Sequence, residues 1–189
     1  ARKYGKEVAN SIPIYLHANP FMEMTPILGP NGERWKPTHS VLPFSKVLKH
    51  NSDFESLMME YKDRMNLHHV EMHRMFSFID RNAFLYEPTF LWNDQQSIYH
   101  KKVYPADLEQ IPVHKANPEG LQLVNEIKQR LEEISIANGA IHFQIGKDYP
   151  YLQTRTKETR TLLHSIKKQL DPKNLINPGA LGFDVGSGN

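Results

Sequence analysis

Ten histidines and no cysteines define the chemistry that this chain can offer. Imidazole can bind a metal, exchange a proton near neutral pH or donate a hydrogen bond. The lack of thiols excludes disulfides, thiolate nucleophiles and thiolate metal sites. The densest histidine group is His68, His69 and His73. Because the first two are predicted at a helix end and His73 in a strand, they would not share one helical face. We therefore predict no metal site and interpret these side chains as solvated or partner-facing.

Motifs that hold nucleotides or catalytic zinc are absent from the sequence. It contains no His-Glu-x-x-His helix, no Walker loop and no Gly-x-Gly-x-x-Gly turn. The formal net charge is only +2 and cations alternate with acids, so we predict no nucleic-acid partner. No stretch approaches the roughly 18 consecutive apolar residues of a membrane-spanning helix, so we predict no membrane span. A cysteine-free chain is compatible with the reducing cytoplasm, where we expect this protein.

A predicted strand over residues 140–145 carries the polar side chains of greatest interest. Alternation along a strand makes His142 and Gln144 face one way while Ile141 and Phe143 face the other. Burying both polar side chains in an apolar core would leave donors and acceptors unpaired. We therefore expect His142 and Gln144 to line a pocket as catalytic residues.

Further candidates for the pocket wall are aromatic or charged. They are Lys147, Tyr149 and Tyr151 on the loop after that strand, and Tyr86, Glu87 and Trp92 on a predicted hairpin. The alternative is that aromatic side chains on a strand simply belong to the core.

The elements that must position these residues follow from sequence periodicity. The segment Ser11 to His17 is apolar and contains a proline, which predicts an edge strand or a buried extended segment. Residues 19–43 contain five prolines and predict a long loop that is packed and functional. A capping box from Ser52 to Glu55 predicts the start of a first helix that ends near Leu67.

The remaining pattern predicts a β-hairpin over residues 70–79 and 83–92. A second helix should begin at the Asn117 cap and close at Asn138-Gly139, and a last helix should span about residues 156–170. Together these elements predict an α+β fold in which helices cover one face of an antiparallel sheet, with a duplicated ferredoxin-like character.

The end of the chain carries the most specific string. An apolar helix stops at Asp171-Pro172, Leu175-Ile176 forms a short anchor, and Asn177-Pro178-Gly179 predicts a tight turn. This string resembles the C-terminal signature of FAD-linked oxidases of the vanillyl-alcohol oxidase and D-lactate dehydrogenase superfamily. The resemblance covers about Trp35 to Phe183.

That resemblance implies a domain plan and a cofactor. Residues 1–183 would form the C-terminal substrate (cap) domain, and residues 184–189 a flexible tail. In the family the terminal segment folds back toward a flavin-binding domain, which implies that Asn177, Pro178 and Gly179 contact the cofactor. The chain begins at Ala1 without an initiator Met or signal peptide. We therefore expect it to be cut from a longer protein whose N-terminal domain holds most of the FAD.

The resemblance also assigns a place to His39. In the vanillyl-alcohol oxidase branch a cap histidine just before a Phe-Ser pair is joined covalently to the flavin. Counting back from Phe44-Ser45 places Val41 at that position, and His39 would need a two-residue shift, which argues against a covalent linkage. We interpret His39 as an active-site wall or as a hydrogen-bond donor to the isoalloxazine. The alternative is a loop histidine satisfied by backbone groups.

The substrate class does not transfer from either branch of the family. Phenol-oxidising members carry a Tyr-Arg pair where this chain has Phe143 and Gln144, so a cation that stabilises a phenolate is missing. The D-lactate and glycolate branch carries Gly-Glu-His-Gly-Ile-Gly, which aligns its histidine with Phe143 and its acid with His142. Phe143 remains a candidate pocket residue on this alignment.

Two functions from different classes therefore remain open. The first is the substrate-binding cap of an FAD-dependent oxidoreductase that oxidises a hydroxylated, benzylic or phenolic small molecule by hydride transfer to flavin. The second is a non-catalytic α+β binding module, which could form homo-oligomers through an exposed sheet.

Overall fold

The computed structural model describes residues 9–20, 32–103, 113–142, 144 and 146–183. Two short 3₁₀ turns, Tyr151–Thr154 and Ala180–Gly182, accompany the regular elements. Those elements are α1 (Ser11–Ala18), β1 (Glu33–Pro37), β2 (Ser40–Pro43), α2 (Phe44–Leu67), β3 (Glu71–Ile79), β4 (Ala83–Asn93), α3 (Ile98–Val103), α4 (Pro118–Ala137) and α5 (Lys157–Leu170). Among the described residues, no helix is both long and apolar enough to cross a membrane.

Strand β4 is the centre of the sheet. It pairs with β1 and β2 on one side and with β3 on the other, and every pairing is antiparallel. An isolated antiparallel bridge between Val41 and Ile141 extends the sheet beyond β2. The predicted α+β fold with an antiparallel sheet is confirmed.

Pro88 lies in the middle of β4, a position from which proline is usually excluded because it cannot donate to a neighbouring strand. The missing N–H faces the break between β1 and β2, where Thr38 donates its own N–H to the Pro88 carbonyl at 3.0 Å. Strands β1 and β2 follow the same register against β4, which places Thr38 opposite Pro88 and His39 opposite Glu87. The proline thus divides one long strand into two.

The core lies between one face of the sheet and the helices α2 and α4. Alternation along β4 directs Tyr86, Phe90 and Trp92 toward the helices, and all three are buried. Helix α2 contributes Phe54, Leu57, Met58 and Tyr61, and helix α4 contributes Leu123, Val124, Ile127 and Leu131. These helical residues recur every three or four positions, the spacing that buries one face of a helix.

Two predictions for the segment before α2 are wrong. The segment predicted as a strand is helix α1, in which Pro13 occupies the first turn, where an N–H needs no intrahelical acceptor. Part of the predicted loop is β1 and β2, because Pro37 and Pro43 fall at strand ends and do not interrupt the ladder. Residues 21–31 of that loop lie outside the described residues.

Helix α2 begins at Phe44, eight residues before the predicted start. Pro43 in an extended conformation precedes it, and the capping box at Ser52 lies inside the helix. There the Ser52 carbonyl accepts a hydrogen bond from the Ser56 hydroxyl at 3.0 Å. The predicted end at Leu67 is confirmed.

The predicted hairpin, second helix and last helix are confirmed. Ile79 pairs with Ala83 at the hairpin turn. The Asn117 side chain accepts the Gly120 N–H at 2.9 Å, and Gly139 follows α4 with φ +75°. Of the strand predicted over residues 140–145, the described residues show the bridge at Ile141, and residues 143 and 145 lie outside the described residues.

Helix α5 buries none of its side chains against the described residues. The predicted anchor is likewise exposed, Leu175 by 74 % and Ile176 by 63 %. Polar contacts hold the turn instead, because the Asp171 carboxylate accepts the N–H groups of Leu175 at 2.8 Å and Ile176 at 2.9 Å. The helix and turn therefore present an apolar surface: Leu162, Ile166, Leu170, Leu175 and Ile176.

The assignment of the core predicts that alanine substitutions at two positions of α4 lower the free energy of unfolding by very different amounts. Ile127 is fully buried, whereas Leu121 is 41 % exposed on the same helix. We expect Ile127→Ala to lower the free energy of unfolding by about 2–5 kcal/mol, because it removes buried methyl groups and leaves a cavity. Leu121→Ala should cost less than about 1 kcal/mol. Urea denaturation measures both, and equal losses would contradict the assignment of this core.

Candidate functional site

The candidate site lies along the edge of β2 that faces away from β4. Val41 exchanges two backbone hydrogen bonds of 2.9 Å with Ile141. Two residues earlier, the His39 N–H donates to the Tyr149 hydroxyl at 3.2 Å, and the His39 carbonyl lies 2.9 Å from His142 Nδ1. Two side chains thus continue the ladder that the backbone of Ile141 begins. We call His39, His142 and Tyr149 the edge cluster.

The three rings of the edge cluster pack together out of contact with solvent. The Tyr149 ring centroid lies 4.3 Å from that of His39 and 4.7 Å from that of His142, and the two imidazoles are 5.4 Å apart. All three residues are at most 5 % exposed. The structure therefore brings together His39, His142 and Tyr149, which the sequence placed in two distant segments.

Burial keeps both imidazoles neutral near pH 7. It lowers the pKa of His39 to about 4, with further repulsion from His142 and Lys128. It also lowers the pKa of His142, against a smaller opposing effect of the hydrogen bond to the His39 carbonyl. A neutral His142 that faces this carbonyl through Nδ1 must carry its proton there. Its Nε2 is then an unprotonated acceptor, and among the described residues it has no hydrogen-bond partner.

Cations surround the edge cluster. Lys128 lies with its Nζ 5.1 Å from the Tyr149 ring centroid and forms an ion pair with Asp148. Arg155 stacks on the Tyr151 ring at 4.7 Å and contributes to the lowered pKa of His142. Our sequence reasoning missed Lys128, although a lysine within the buried stripe of α4 was a signal that it has a buried partner.

Three predicted pocket residues on the hairpin separate onto two faces of the sheet. Tyr86 and Trp92 are core residues on the helix-covered face, and the Tyr86 hydroxyl donates to Asn51 Oδ1 at 2.8 Å. This matches the core alternative for strand aromatics. Glu87 lies on the opposite face, in register with His39, and burial raises the pKa of its carboxyl group. Only Glu87 of the three lies toward the edge cluster.

The prediction that His142 and Gln144 line a pocket together is not met in the described chain. His142 is buried in the edge cluster, whereas Gln144 is exposed. Among the described residues the pairing with β2 is limited to the bridge at Ile141, so strict alternation of side chains does not apply. Tyr151 is half-buried beneath Arg155. Phe143 lies outside the described residues.

The terminal turn folds back on the loop that follows Gln144. Leu181 donates its N–H to the Gly146 carbonyl at 2.6 Å, and Asn177 and Gly179 adopt the left-handed conformation. A cleft of about 490 Å³ lies between the two segments. Its lining comprises Gly146, Lys147, Lys167, Ile176, Asn177, Ala180, Leu181 and Phe183. Of the predicted cofactor contacts, Asn177 lines this cleft, and Pro178 and Gly179 belong to the turn that shapes it.

Another buried histidine, His50, was not singled out by the sequence reasoning. His50 Nε2 lies 3.1 Å from the Ser135 hydroxyl, which in turn lies 2.6 Å from the Ser40 hydroxyl. This network joins α2, α4 and β2, and burial lowers the pKa of His50 to about 4. Within the described ranges, no three His, Asp or Glu side chains converge on a position for a metal ion.

The buried histidines predict a pH dependence of stability. Unfolded histidine takes up a proton near pH 6.5, whereas folded His39 resists protonation down to about pH 4. Between these values the unfolded chain binds more protons, so the free energy of unfolding falls as the pH drops. The slope is about 1.4 kcal/mol per pH unit for each such histidine. His39→Gln should therefore flatten the dependence by about one proton between pH 6.5 and 5.

The matched control is His73→Gln, because His73 is exposed on β3. Urea denaturation at a series of pH values should give this variant the slope of the unmodified chain. A His39→Gln variant that kept the full slope would show that His39 is charged in the folded protein.

Comparisons with known proteins add no relative to this description. No family model, no curated protein and no solved structure matches the chain.

Proposed function

We propose that this chain is the substrate-binding cap of an FAD-dependent oxidoreductase, which oxidises a hydroxylated or benzylic or phenolic small molecule. On this proposal an N-terminal FAD-binding domain of the same protein holds most of the cofactor. The chain would contribute pocket walls and the groups that handle protons.

The observation that carries the proposal is the return of the terminal turn onto the loop after Gln144. Two separate parts of the family resemblance border one cleft: Gly146 and Lys147, at the end of the strand region, and the Asn-Pro-Gly turn, which are joined by the Leu181–Gly146 hydrogen bond. The apolar surface of α5 and the turn supports the same idea, because an exposed stripe of this size favours a covering partner.

The side chains around the cleft fit part of a flavin. Ile176, Leu181 and Phe183 offer apolar walls, and Lys147 and Asn177 offer donors for the carbonyl oxygens of an isoalloxazine ring. The described residues contain no glycine-rich cradle for the diphosphate, which agrees with a dinucleotide held elsewhere. When bound, the flavin supplies the hydride acceptor.

We assign to His142 the role of the base that removes the substrate hydroxyl proton. Its Nδ1 is engaged with the His39 carbonyl, which fixes the ring and leaves the Nε2 lone pair without a partner in the described chain. Nε2 is buried among the described residues and His142 does not line the cleft, so the proposal requires that Nε2 become accessible to substrate when the flavin-binding domain is in place; it could then accept the hydroxyl proton. In this assignment His39 and Tyr149 position the base, and Gln144 and Glu87 remain candidate polar contacts of the substrate.

The order of the helices and strands supports a ferredoxin-like arrangement. β2, α2, β3, β4, α4 and the Ile141 bridge follow the strand, helix, hairpin, helix, strand order of one ferredoxin-like unit. We propose that this unit carries the ferredoxin-like character of the cap domain, and its duplication within residues 1–183 remains a prediction.

Coexpression of this chain with the upstream coding region tests the function directly. We expect a yellow protein whose visible absorption band is that of a flavin, and we expect anaerobic addition of substrate to bleach the band. Substrates of two classes should be tested. Bleaching by 2-hydroxy acids would indicate the D-lactate and glycolate branch, and bleaching by 4-hydroxybenzyl alcohols would indicate the vanillyl-alcohol oxidase branch. A colourless protein that takes up no FAD on reconstitution would favour the non-catalytic binding module.

The role of His142 has its own test in that holoenzyme. In His142→Asn the side-chain amide can still donate to the His39 carbonyl, but the ring base is lost. We expect flavin reduction to slow by about 10²–10⁴-fold, the usual contribution of a general base. His73→Asn is the control, since His73 is exposed and remote in sequence. Unchanged reduction in His142→Asn would remove His142 from the catalytic residues and leave it as a structural partner of His39.

A further inference from the structure

Strand β3 presents an unusually open edge. Eight of its nine residues are exposed, and no described strand pairs with its outer side. Natural sheets protect such edges with prolines, bulges or very short strands. β3 has none of these devices, and its sequence runs Met75-Phe76-Ser77-Phe78-Ile79.

The backbone groups on this edge can be assigned from Pro88. Arg74 lies opposite Pro88, whose carbonyl bonds to Thr38 on the other side of β4. Because the backbone groups of facing residues point either toward each other or away, those of Arg74 point to the open edge. The same holds for every second residue of β3. The N–H and C=O groups of Met72, Arg74, Phe76 and Phe78 are therefore available to another strand.

On the helix-covered face of the sheet, β3 has an exposed aromatic side chain at one end and an apolar cleft at the other. The two could fit each other in a pair of chains. At the C-terminal end Phe78 projects from the surface, 74 % exposed, with its ring 5.9 Å from that of Phe44. At the N-terminal end a cleft of about 300 Å³ opens between α2 and β3. Its lining is Met58, Met59, Lys62, Met65, Asn66, Val70 and Met72. Thioether groups pack favourably against aromatic rings.

We propose that β3 pairs antiparallel with β3 of a second copy of this chain, about a two-fold axis at Met75. This register places Met72 opposite Phe78, so each Phe78 enters the methionine-lined cleft of the other copy. It also centres the pairing on β3, so that all nine of its residues from Glu71 to Ile79 face a residue of the other copy. The same surface serves both subunits, as a two-fold interface requires.

The neighbouring symmetric registers fit less well. An axis at Arg74 would place Phe78 opposite the buried Val70, outside β3, so that fewer residues of β3 would pair. An axis at Phe76 would place Phe78 opposite Arg74, away from the methionine-lined cleft. The proposal is independent of flavin binding, because the edge cluster lies at the opposite side of the sheet.

Sedimentation equilibrium of the 189-residue chain over a range of concentrations tests the interface. We expect a monomer–dimer equilibrium. Phe78→Lys and Met59→Glu should each weaken self-association by at least about 30-fold, as expected for the loss of an interface hot spot. Both positions are more than 70 % exposed, so neither change should disturb folding, which circular dichroism checks. Leu162→Lys on α5 is the control and should dimerise unchanged.

Mixing the two variants tests the register itself. In a mixed dimer, Lys at position 78 of one copy meets Glu at position 59 of the other, and the second contact remains native. We expect the mixture to form heterodimers while each variant alone stays monomeric. An unmodified chain that is monomeric at all concentrations would overturn the proposal and leave the edge to a strand of another part of the protein. Equal weakening by Leu162→Lys, or no recovery on mixing, would also overturn it.

Discussion

The structure depends on β4 as the one strand through which the others are joined. β1, β2 and β3 make their ladders to β4, and the core residues Phe90 and Trp92 project from it onto the helices. The single interruption in this arrangement is Pro88, which cannot donate to the neighbouring strand. Its position decides where β1 ends and β2 begins. His39, the residue after Thr38, lies opposite Glu87, and its backbone groups point away from β4.

The edge cluster is a consequence of that local geometry. In the described part of the chain, the backbone pairing ends at the Val41–Ile141 bridge, and the Tyr149 hydroxyl and the His142 ring bond to the backbone groups of His39. Such side-chain pairing satisfies groups that would be costly to bury unpaired. It also fixes the His142 tautomer, so a structural requirement at the sheet edge produces an oriented, neutral imidazole whose second nitrogen has no partner among the described residues.

The features that could be predicted from the sequence are those encoded by neighbouring residues. The hairpin, the Asn117 cap and the stop at Asp171-Pro172 each depend on a few adjacent side chains. The strands β1 and β2 could not be predicted in this way, since proline-rich segments become strands only when β4 is present to pair with them. The meeting of His39 with His142 and Tyr149 is a contact across 103 and 110 residues. Periodicity contains no information about such contacts, and it therefore left Tyr86 and Trp92 open between a pocket and the core and overlooked Lys128.

The same long separation has a consequence for the order of folding. The β3–β4 hairpin joins residues that are close in the chain, so its loop closes at low entropic cost, whereas the His39–His142 contact must close a loop of about a hundred residues. Contacts of this kind form late and slow the overall rate. The nascent hairpin is then a template on which the proline-rich segment docks, and the histidine pair assembles only when the chain has committed to its final topology.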